Sequence, residues 1–304
     1  MRRVAAVDCG TNSLRLLVAD LPPSGPLLPV VRELRVVRLG EGVDRTGALS
    51  PEALGRAAAV LEEYGGLVRR HGAEAVRVVA TSATRDARNR GAFTALVQEH
   101  LGVAPEVLAG AEEAALTLTG AVRDLDPADG PFLVVDIGGG STEVALGTTA
   151  VEAALSVDVG CVRLTERHLA DDPPTPAQVA AAQADVDAAL ARVREAVPVE
   201  RARLAVGLAG TVTTVAAHVL RLPHLPDGRL ADVRLPAADV VAACEELLAM
   251  PREERAALPH LHPGRVDVVG AGALVLRRVL EVLEQDVLLV READLLDGAA
   301  WSLA

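Results

Sequence analysis

The run Val7-Asp8-Cys9-Gly10 recurs 128 positions later as Val135-Asp136-Ile137-Gly138. Each copy sits between two short apolar runs. Val4-Ala5-Ala6-Val7 leads into the polar turn Asp8-Cys9-Gly10-Thr11-Asn12-Ser13, and residues 14–18 are apolar again apart from Arg15. Phe132-Leu133-Val134-Val135 leads into Asp136-Ile137-Gly138-Gly139-Gly140-Ser141-Thr142, and Glu143-Val144-Ala145-Leu146 resumes the pattern. Both read as strand, tight turn, strand. A period this long is not a solenoid unit. It predicts two domains of related design, each opening with an Asp-bearing hairpin. The polar stretch 123–131 separates them.

The remaining elements follow from spacing and punctuation. Residues 30–39 are β-branched and predict a third strand. Ser50-Pro51-Glu52 opens a helix to about residue 71, with a Ser cap and Pro at the first helical position. Residues 76–80 read as a short buried strand ending at Thr81-Ser82-Ala83, and 89–101 as a helix. Residues 171–176 form a loop and 176–196 an Ala-rich helix. A strand at 204–206 runs into the glycine turn 207–211 and another helix, and 222–232 is loop-like. Helices are expected near 237–250 and 265–284, a strand at 287–290 and a closing helix at 292–303. Strands alternating with helices predict an α/β protein.

Composition narrows the function. The chain has 304 residues, 50% apolar and 24% charged, enough for one large or two ordinary soluble domains. No apolar run reaches the ~18 residues of a membrane span. Asp8 and Asn12 interrupt the N-terminal apolar stretch too early for a signal peptide. A cytoplasmic protein without a membrane partner is expected. The net charge of −12 argues against a general nucleic-acid binder. An anionic substrate then needs local compensation from arginines, backbone amides or a divalent metal. Cys9, Cys161 and Cys244 are too scattered for a disulfide framework or a zinc site. All 30 basic residues are arginine, so a Schiff-base lysine and a Walker-type lysine are both excluded.

Several constellations carry chemistry. The turns Gly10-Thr11-Asn12-Ser13 and Gly138-Gly139-Gly140-Ser141-Thr142 offer small residues and hydroxyls. These let backbone N–H groups approach an anion closely. Asp8 and Asp136, at the strand ends, are suited to hold Mg²⁺ beside phosphates. Either turn alone reads equally as a tight hairpin; two in matching places favour anion binding. Thr81 and Ser82 put hydroxyls at a strand end with Arg85, Arg88 and Arg90 beyond. The planar guanidinium matches phosphate, and the alternative is a capped helix start with solvated arginines. Glu112 and Glu113 enter a helix. One could activate water as a general base, or both could serve the helix N-terminus as favourable charges. Gly210 and Thr211 lie in a weaker glycine turn. Cys9 reads as a small turn residue. His260-Leu261-His262 reads as loop, and Arg69-Arg70 and Arg277-Arg278 as solvated helix faces. The helix at 176–196 mixes Asp185, Asp187 and Arg192, which points to packing or a subunit contact.

Together these residues resemble the exopolyphosphatase / guanosine pentaphosphate phosphohydrolase (Ppx/GppA) family. The matching runs are VDCGTNSLRLLVAD, ATSATRDARN, LAGAEEA, VVDIGGGSTEV, VGCVRLTER, GLAGTVTT, RVDVVGAGALVL and EADLLDGA, in order from end to end. The resemblance implies two actin-like (ribonuclease H-like) α/β domains, residues 1–125 and 126–304, with an interdomain cleft. It also implies that a final helix, about 292–304, packs back on the first domain. It implies Mg²⁺-dependent release of terminal orthophosphate from inorganic polyphosphate without a covalent intermediate. Carried onto this chain, phosphate is bound by Gly10, Thr11, Asn12, Ser13, Arg15, Thr81, Ser82, Gly138, Gly139, Gly140, Ser141, Thr142, Gly210 and Thr211. The metal and its waters fall to Asp8, Asp136 and Glu143, and Arg85 contacts the transferred phosphate. Glu113, with Glu112 as the second candidate, is the general base. Arg88, Arg90 and Arg163 are candidates to line the cleft. Position 15 is Arg where some larger members have His. The larger members also carry an HD-type domain that this sequence lacks, which points to short polyphosphates. A pppGpp 5′-phosphohydrolase is the alternative in the same class. A sugar kinase and a non-catalytic polyphosphate or alarmone sensor are further rivals. A homodimer is expected by resemblance alone.

Overall fold

The first Asp-bearing run forms β1 (Arg2–Cys9) and β2 (Ser13–Leu21), paired antiparallel with Asp8 opposite Arg15. In the computed structural model residues 1–22, 26–224 and 230–304 are described. β3 (Leu28–Val36) continues the meander, followed by α1 (Val43–Thr46) and α2 (Pro51–Arg70). β4 (Ala75–Ala80), α3 (Ser82–Asp86), α4 (Arg90–Leu101), β5 (Glu106–Val107) and α5 (Gly110–Val122) complete the run. The sheet order is β3-β2-β1-β4-β5, with β4 and β5 parallel to β1. α2 begins where the sequence signals it: Ser50 Oγ accepts from the Ala53 amide at 3.1 Å and Pro51 takes the first position. Its buried stripe, Ala53, Ala57, Leu61, Tyr64 and Val68, has helical spacing. The Tyr64 hydroxyl donates to the Leu14 carbonyl at 2.9 Å, so the one tyrosine is buried with a partner.

The second Asp-bearing run forms β6 (Phe132–Ile137) and β7 (Thr142–Gly147), followed by β8 (Val151–Val157), α6 (Cys161–His168) and α7 (Pro176–Ala196). Then come β9 (Leu204–Leu208), α8 (Ala209–Val219), β10 (Val233–Pro236), α9 (Ala237–Ala249), α10 (Arg252–Ala256), α11 (Val269–Val282) and β11 (Val287–Val290). The sheet order is β10-β11-β9-β6-β7-β8. Without β10, it repeats the first sheet strand for strand. In both, the central strand has an antiparallel meander on one side and two parallel strands on the other. This is the duplicated, actin-like α/β fold that the resemblance implies. The chain closes with α12 (Leu295–Trp301). By contacts it divides into Met1–Asp124 with Asp294–Ala304, and Leu125–Ala293.

Strand parity sorts the first core into two layers. Ala5, Val7 and Cys9 of β1 pack with Leu14, Leu16 and Val18 of β2 and with Leu61, Tyr64 and Phe93. Val4, Ala6, Leu17, Ala19 and Leu21 face the other way, onto Leu295, Leu296, Ala299 and Ala300 of α12. The period of two therefore puts Asp8 and Arg15 on the α12 side of the sheet. In the second unit, Leu133, Val135, Ile137, Val144 and Leu146 belong to the main apolar cluster, so Asp136 and Glu143 share the opposite face. No helix among the described residues is long and apolar enough to cross a membrane.

Some expectations need correction. The third strand ends at Val36 instead of 39, because the next residues leave the sheet and Arg38 takes φ +50°. Gly207 and Leu208 belong to β9, so the third glycine turn is shorter than expected. The helix expected from 265 starts at Val269; Pro263–Arg265 is a separate 3₁₀ turn. The closing helix begins only at Leu295, since the Asp294 side chain accepts from the Leu296 amide and caps it there. Arg277 and Arg278 are not solvated: their side chains are 16% and 19% exposed and donate to Gln183 and Asp187 on α7. Of the expected loop 222–232, residues 225–229 lie outside the described residues.

His260, 4% exposed, anchors a short polar chain. Its Nδ1 donates to the Leu222 carbonyl at 3.2 Å, and its Nε2 lies 3.2 Å from His218 Nδ1. His218 Nε2 meets Glu246 Oε2 at 3.1 Å. His260 is held toward its neutral form. Burial, and secondarily His218, push its pKa below the ordinary histidine value. The folded state thus loses stability as pH falls from about 6.5, the unfolded value, toward the lowered folded value. In His260→Asn the melting temperature should fall less between pH 7.5 and 5.5 than in wild type. His262, also lowered by burial, contributes in the same sense to both proteins, so the difference between the profiles is the readout. Parallel profiles would refute the assignment.

Candidate active site

The two Asp-bearing turns are built the same way. Gly10 N donates to Ser13 O at 3.0 Å, and Gly138 N donates to Ser141 O at 3.0 Å. In both turns a flanking segment takes the carbonyls. Val37 and Arg38 amides donate to Asn12 O (3.0 and 2.8 Å), and Gly40 N donates to Thr11 O at 2.8 Å. In the second turn, the N-terminal amides of α6 do this work. Cys161 N donates to Gly138 O at 3.0 Å, and Val162 and Arg163 N donate to Gly139 O at 2.8 and 3.1 Å. Arg163 Nε adds a bond to Gly140 O at 2.6 Å. The Gly10 and Gly138 amides close the turns, and with the carbonyls drawn to one side the amides that follow them have a geometry suited to an anion.

Two glycines let the clamps come this close. A Cβ at Gly40 would collide with the Thr11 side chain, and one at Gly160 would lie within 2.7 Å of backbone atoms of Gly139 and Gly140. Ser82, 1% exposed, pairs with Thr11 Oγ1 at 3.1 Å, which ties α3 to the first turn. Thr81, at the end of β4, accepts the Arg85 amide through its carbonyl at 2.9 Å. Thr142 Oγ1 is committed to Val159 O at 2.6 Å, and Thr142 and Ser141 are buried. Gly210 and Thr211 open α8, where Ala209 takes φ +66°. Arg265 Nη1 donates to Gly210 O at 3.0 Å, and its guanidinium fills the space a Cβ at Gly210 would need.

The carboxylate pair at the start of α5 separates cleanly. Glu112 is exposed and its Oε2 accepts from the Ala109 amide at 2.9 Å, so it caps the helix. Glu113 is 5% exposed and faces inward. Arg85 Nη1 donates to Glu113 Oε2 at 3.0 Å and to Leu108 O at 2.9 Å. Arg88 instead bonds the Thr46 carbonyl, and Arg90 is exposed at the start of α4. The partners of Arg15 are carboxylates: Nε and Nη2 donate to Asp8 Oδ2 at 2.9 and 2.6 Å, and Nη1 donates to Asp294 Oδ2.

A divalent cation fits the oxygen donors present. Asp8 is 3% exposed, and its Oδ1 is buried without a hydrogen-bond partner among the described residues, as is Asn12 Oδ1. Burial pushes the Asp8 carboxyl above the usual carboxylate range, against the neighbouring Arg15. Asp136 and Glu143 are register partners on adjacent strands, and Ser156 Oγ donates to Glu143 Oε1 at 2.7 Å. Among the described residues no three His, Cys, Asp or Glu side chains gather closely enough to hold an ion alone. Mg²⁺ is commonly held by one or two carboxylates together with waters and substrate phosphates. The cysteines supply no thiolate. Burial pushes Cys161 up to about 11 and Cys9 well above its ordinary value.

Sequence reasoning missed the clamp formed by residues 37–40, Gly160, and the contact of Arg265 with the third turn. Gly40 and Gly160 were visible as isolated glycines. What they approach lies 29 and about 20 residues away in sequence, so no local pattern marks them.

The profile of the Ppx/GppA phosphatase family matches residues 18–303. Exopolyphosphatase 2 of Mycobacterium tuberculosis is 48% identical over 316 aligned residues, covering 100% of this chain and 99% of its own. A crystal structure of an exopolyphosphatase-like protein superimposes with TM-score 0.95 at 41% identity, covering 99% of this chain and 98% of the other. The Ppx/GppA family member of Aquifex aeolicus superimposes with TM-score 0.83 at 30% identity, with coverage of 99% and 98%.

Proposed function

This chain belongs to the Ppx/GppA phosphatase family, and from that membership we propose that it is an exopolyphosphatase that releases terminal orthophosphate from inorganic polyphosphate. The observation that carries the reading is Glu113. It is a buried carboxylate gripped by Arg85, while its neighbour Glu112 is spent on the helix cap. A carboxylate so placed has a chemical use as a base and little use as a solvated surface charge.

In the proposed reaction each glycine turn offers the amides after Gly10 or Gly138 to phosphate oxygens, and Thr11 and Ser82 add hydroxyls to the first turn. A Mg²⁺-type cation near Asp8, or near Asp136 and Glu143, would neutralise charge on the phosphates when bound. Glu113 takes a proton from water as the water oxygen bonds to the terminal phosphorus. The P–O bond to the chain breaks in line, leaving orthophosphate and a chain shorter by one unit. Arg85 keeps Glu113 oriented and lies beside the charge that develops. No covalent intermediate is required, in keeping with the buried, protonated cysteines.

The test is phosphate release by the wild-type protein from short-chain polyphosphate, long-chain polyphosphate and pppGpp, with Mg²⁺ and with a chelator. Release from polyphosphate, abolished by the chelator and favouring short chains, is expected. Faster release from pppGpp would reassign the substrate. Binding of these ligands without release from any of them would point to a sensor and overturn the enzyme reading.

A further inference from the structure

His260 and His262 do not work as a pair. His262 Nδ1 accepts from the Gly264 amide at 3.0 Å and caps the short turn that follows. The ring that faces His260 comes from 42 positions upstream, at the end of α8. His218 Nδ1 lies 3.2 Å from His260 Nε2, with the ring centroids 5.3 Å apart and the planes tilted by 50°. His260 is 4% exposed and the His218 side chain 13%.

The outer nitrogens show what the inner pair needs. A carbonyl oxygen only accepts, so His260 Nδ1 carries the proton in its 3.2 Å bond to Leu222 O. An ionised carboxylate only accepts, so the 3.1 Å contact of His218 Nε2 with Glu246 Oε2 takes an N–H from that ring. A neutral imidazole has one N–H. Two neutral rings therefore direct both protons outward and turn two lone pairs toward each other at 3.2 Å. A cation between them makes that arrangement favourable. A proton is one candidate and a transition-metal dication the other, and two observations favour the metal. Metal-bound histidine almost always donates its other N–H to a carboxylate, a backbone carbonyl or water; here one ring faces a carboxylate and the other a carbonyl. Nitrogens about 2.0–2.1 Å from a tetrahedral zinc lie about 3.3 Å apart, close to the spacing of this pair.

We propose that His218 Nδ1 and His260 Nε2 form a binding site for one transition-metal dication of the Zn²⁺ type, with Glu246 and the Leu222 carbonyl orienting the two rings. Among the described residues no three His, Cys, Asp or Glu side chains form a group able to hold an ion. Water therefore completes the coordination, entering on the side of Glu246, whose side chain is 67% exposed. Imidazole suits Zn²⁺, Cu²⁺ and Ni²⁺, whereas Mg²⁺ takes oxygen ligands. The ion is thus a different one from the cation of the proposed reaction, and the site does not rest on the hydrolase reading. It ties the end of α8 to the segment after α10.

The probe is Zn²⁺, titrated into chelator-stripped protein against a chromophoric chelator, with Mg²⁺ alongside. Wild type should take up one equivalent of Zn²⁺ and ignore Mg²⁺ at the same concentration. Zn²⁺ should also raise the melting temperature, because it binds the folded state. Glu246→Ala removes an outer partner and should weaken Zn²⁺ binding by roughly 10- to 100-fold. His218→Asn and His260→Asn each remove a ligand and should weaken it further. His262→Asn, which keeps a side chain able to cap its turn, should match wild type. Melting temperatures of the stripped variants check folding, and the less buried His218 keeps the test open if His260→Asn does not fold. Anomalous diffraction at the zinc edge should place the ion about 2.0–2.1 Å from both nitrogens. No stoichiometric Zn²⁺ uptake by wild type, uptake undiminished in His218→Asn, or an ion bound elsewhere overturns the proposal.

Discussion

Glu113→Gln should lower phosphate release by about 10²- to 10⁴-fold, the usual worth of a positioned general base. The substitution is nearly isosteric, and the amide oxygen can still accept from Arg85, so the melting temperature should move little. The amide cannot take a proton. The loss should therefore fall on kcat, with a small change in KM. Glu112→Gln is the matched comparison. Its amide oxygen can still accept from Ala109 N, and what is removed is a helix-terminal charge worth about 0.3–1 kcal/mol of stability. Its activity should stay near wild type. Steady-state kinetics of the pair decides between the neighbouring carboxylates. Near-wild-type turnover by Glu113→Gln would remove Glu113 from the mechanism.

Gly120→Ala should be among the most destabilising single changes in the chain. Gly120 lies in α5 where α12 crosses it. A Cβ there would overlap the carbonyl of Asp294 and approach the Gly298 amide within 2.8 Å. Gly298 meets the Leu116 carbonyl in the same way, so the two helices touch backbone to backbone. Neither obstacle is a flexible side chain that can swing aside. Overpacking typically costs about 1–3 kcal/mol, and backbone contact puts this site at or above the upper end. At about 2–4 °C per kcal/mol for a protein of this size, the melting temperature should fall by roughly 6–12 °C. Gly55→Ala provides the contrast. It lies in α2 with no atom of the described residues within 4 Å of its added methyl, and should stabilise by about 0.4–1 kcal/mol. A thermal melt in which the two variants match would refute the backbone-contact argument. α5 also carries Glu113, and Asp294 grips Arg15, so Gly120→Ala should lower activity beyond its effect on the folded fraction.

Much of the fold was legible because the signals were local. The Ser50-Pro51 start of α2, the alternation in β1 and β2 and the two Asp-Gly turns each follow from a few adjacent residues. Boundaries failed where the next element depends on a distant contact. Arg38 leaves the third strand because its amide is bonded to Asn12, and α12 starts late because Asp294 caps it. Arg277 and Arg278 looked solvated because helical periodicity says nothing of carboxylates on another helix; α7 supplies Asp187 and Gln183 some 90 residues upstream. The same holds in the candidate site. The two glycine-and-hydroxyl turns and the Glu-Glu pair could be read from the sequence, but the segments that clamp the turns could not.

By itself, the sequence determined the duplication, the α/β class, the family and the short list of carboxylates, hydroxyls and glycines from which the proposed phosphate chemistry is drawn. These depend on residue type and spacing, which the chain carries in one dimension. Only the tertiary structure decided that Glu113 is buried beside Arg85 while Glu112 caps its helix. Only it decided that Asp8 shares Arg15 with Asp294 and keeps one oxygen without a partner among the described residues. The reason is physical: burial and ion-pair choice depend on which faces pack together, and that is settled between residues 28 to 279 positions apart.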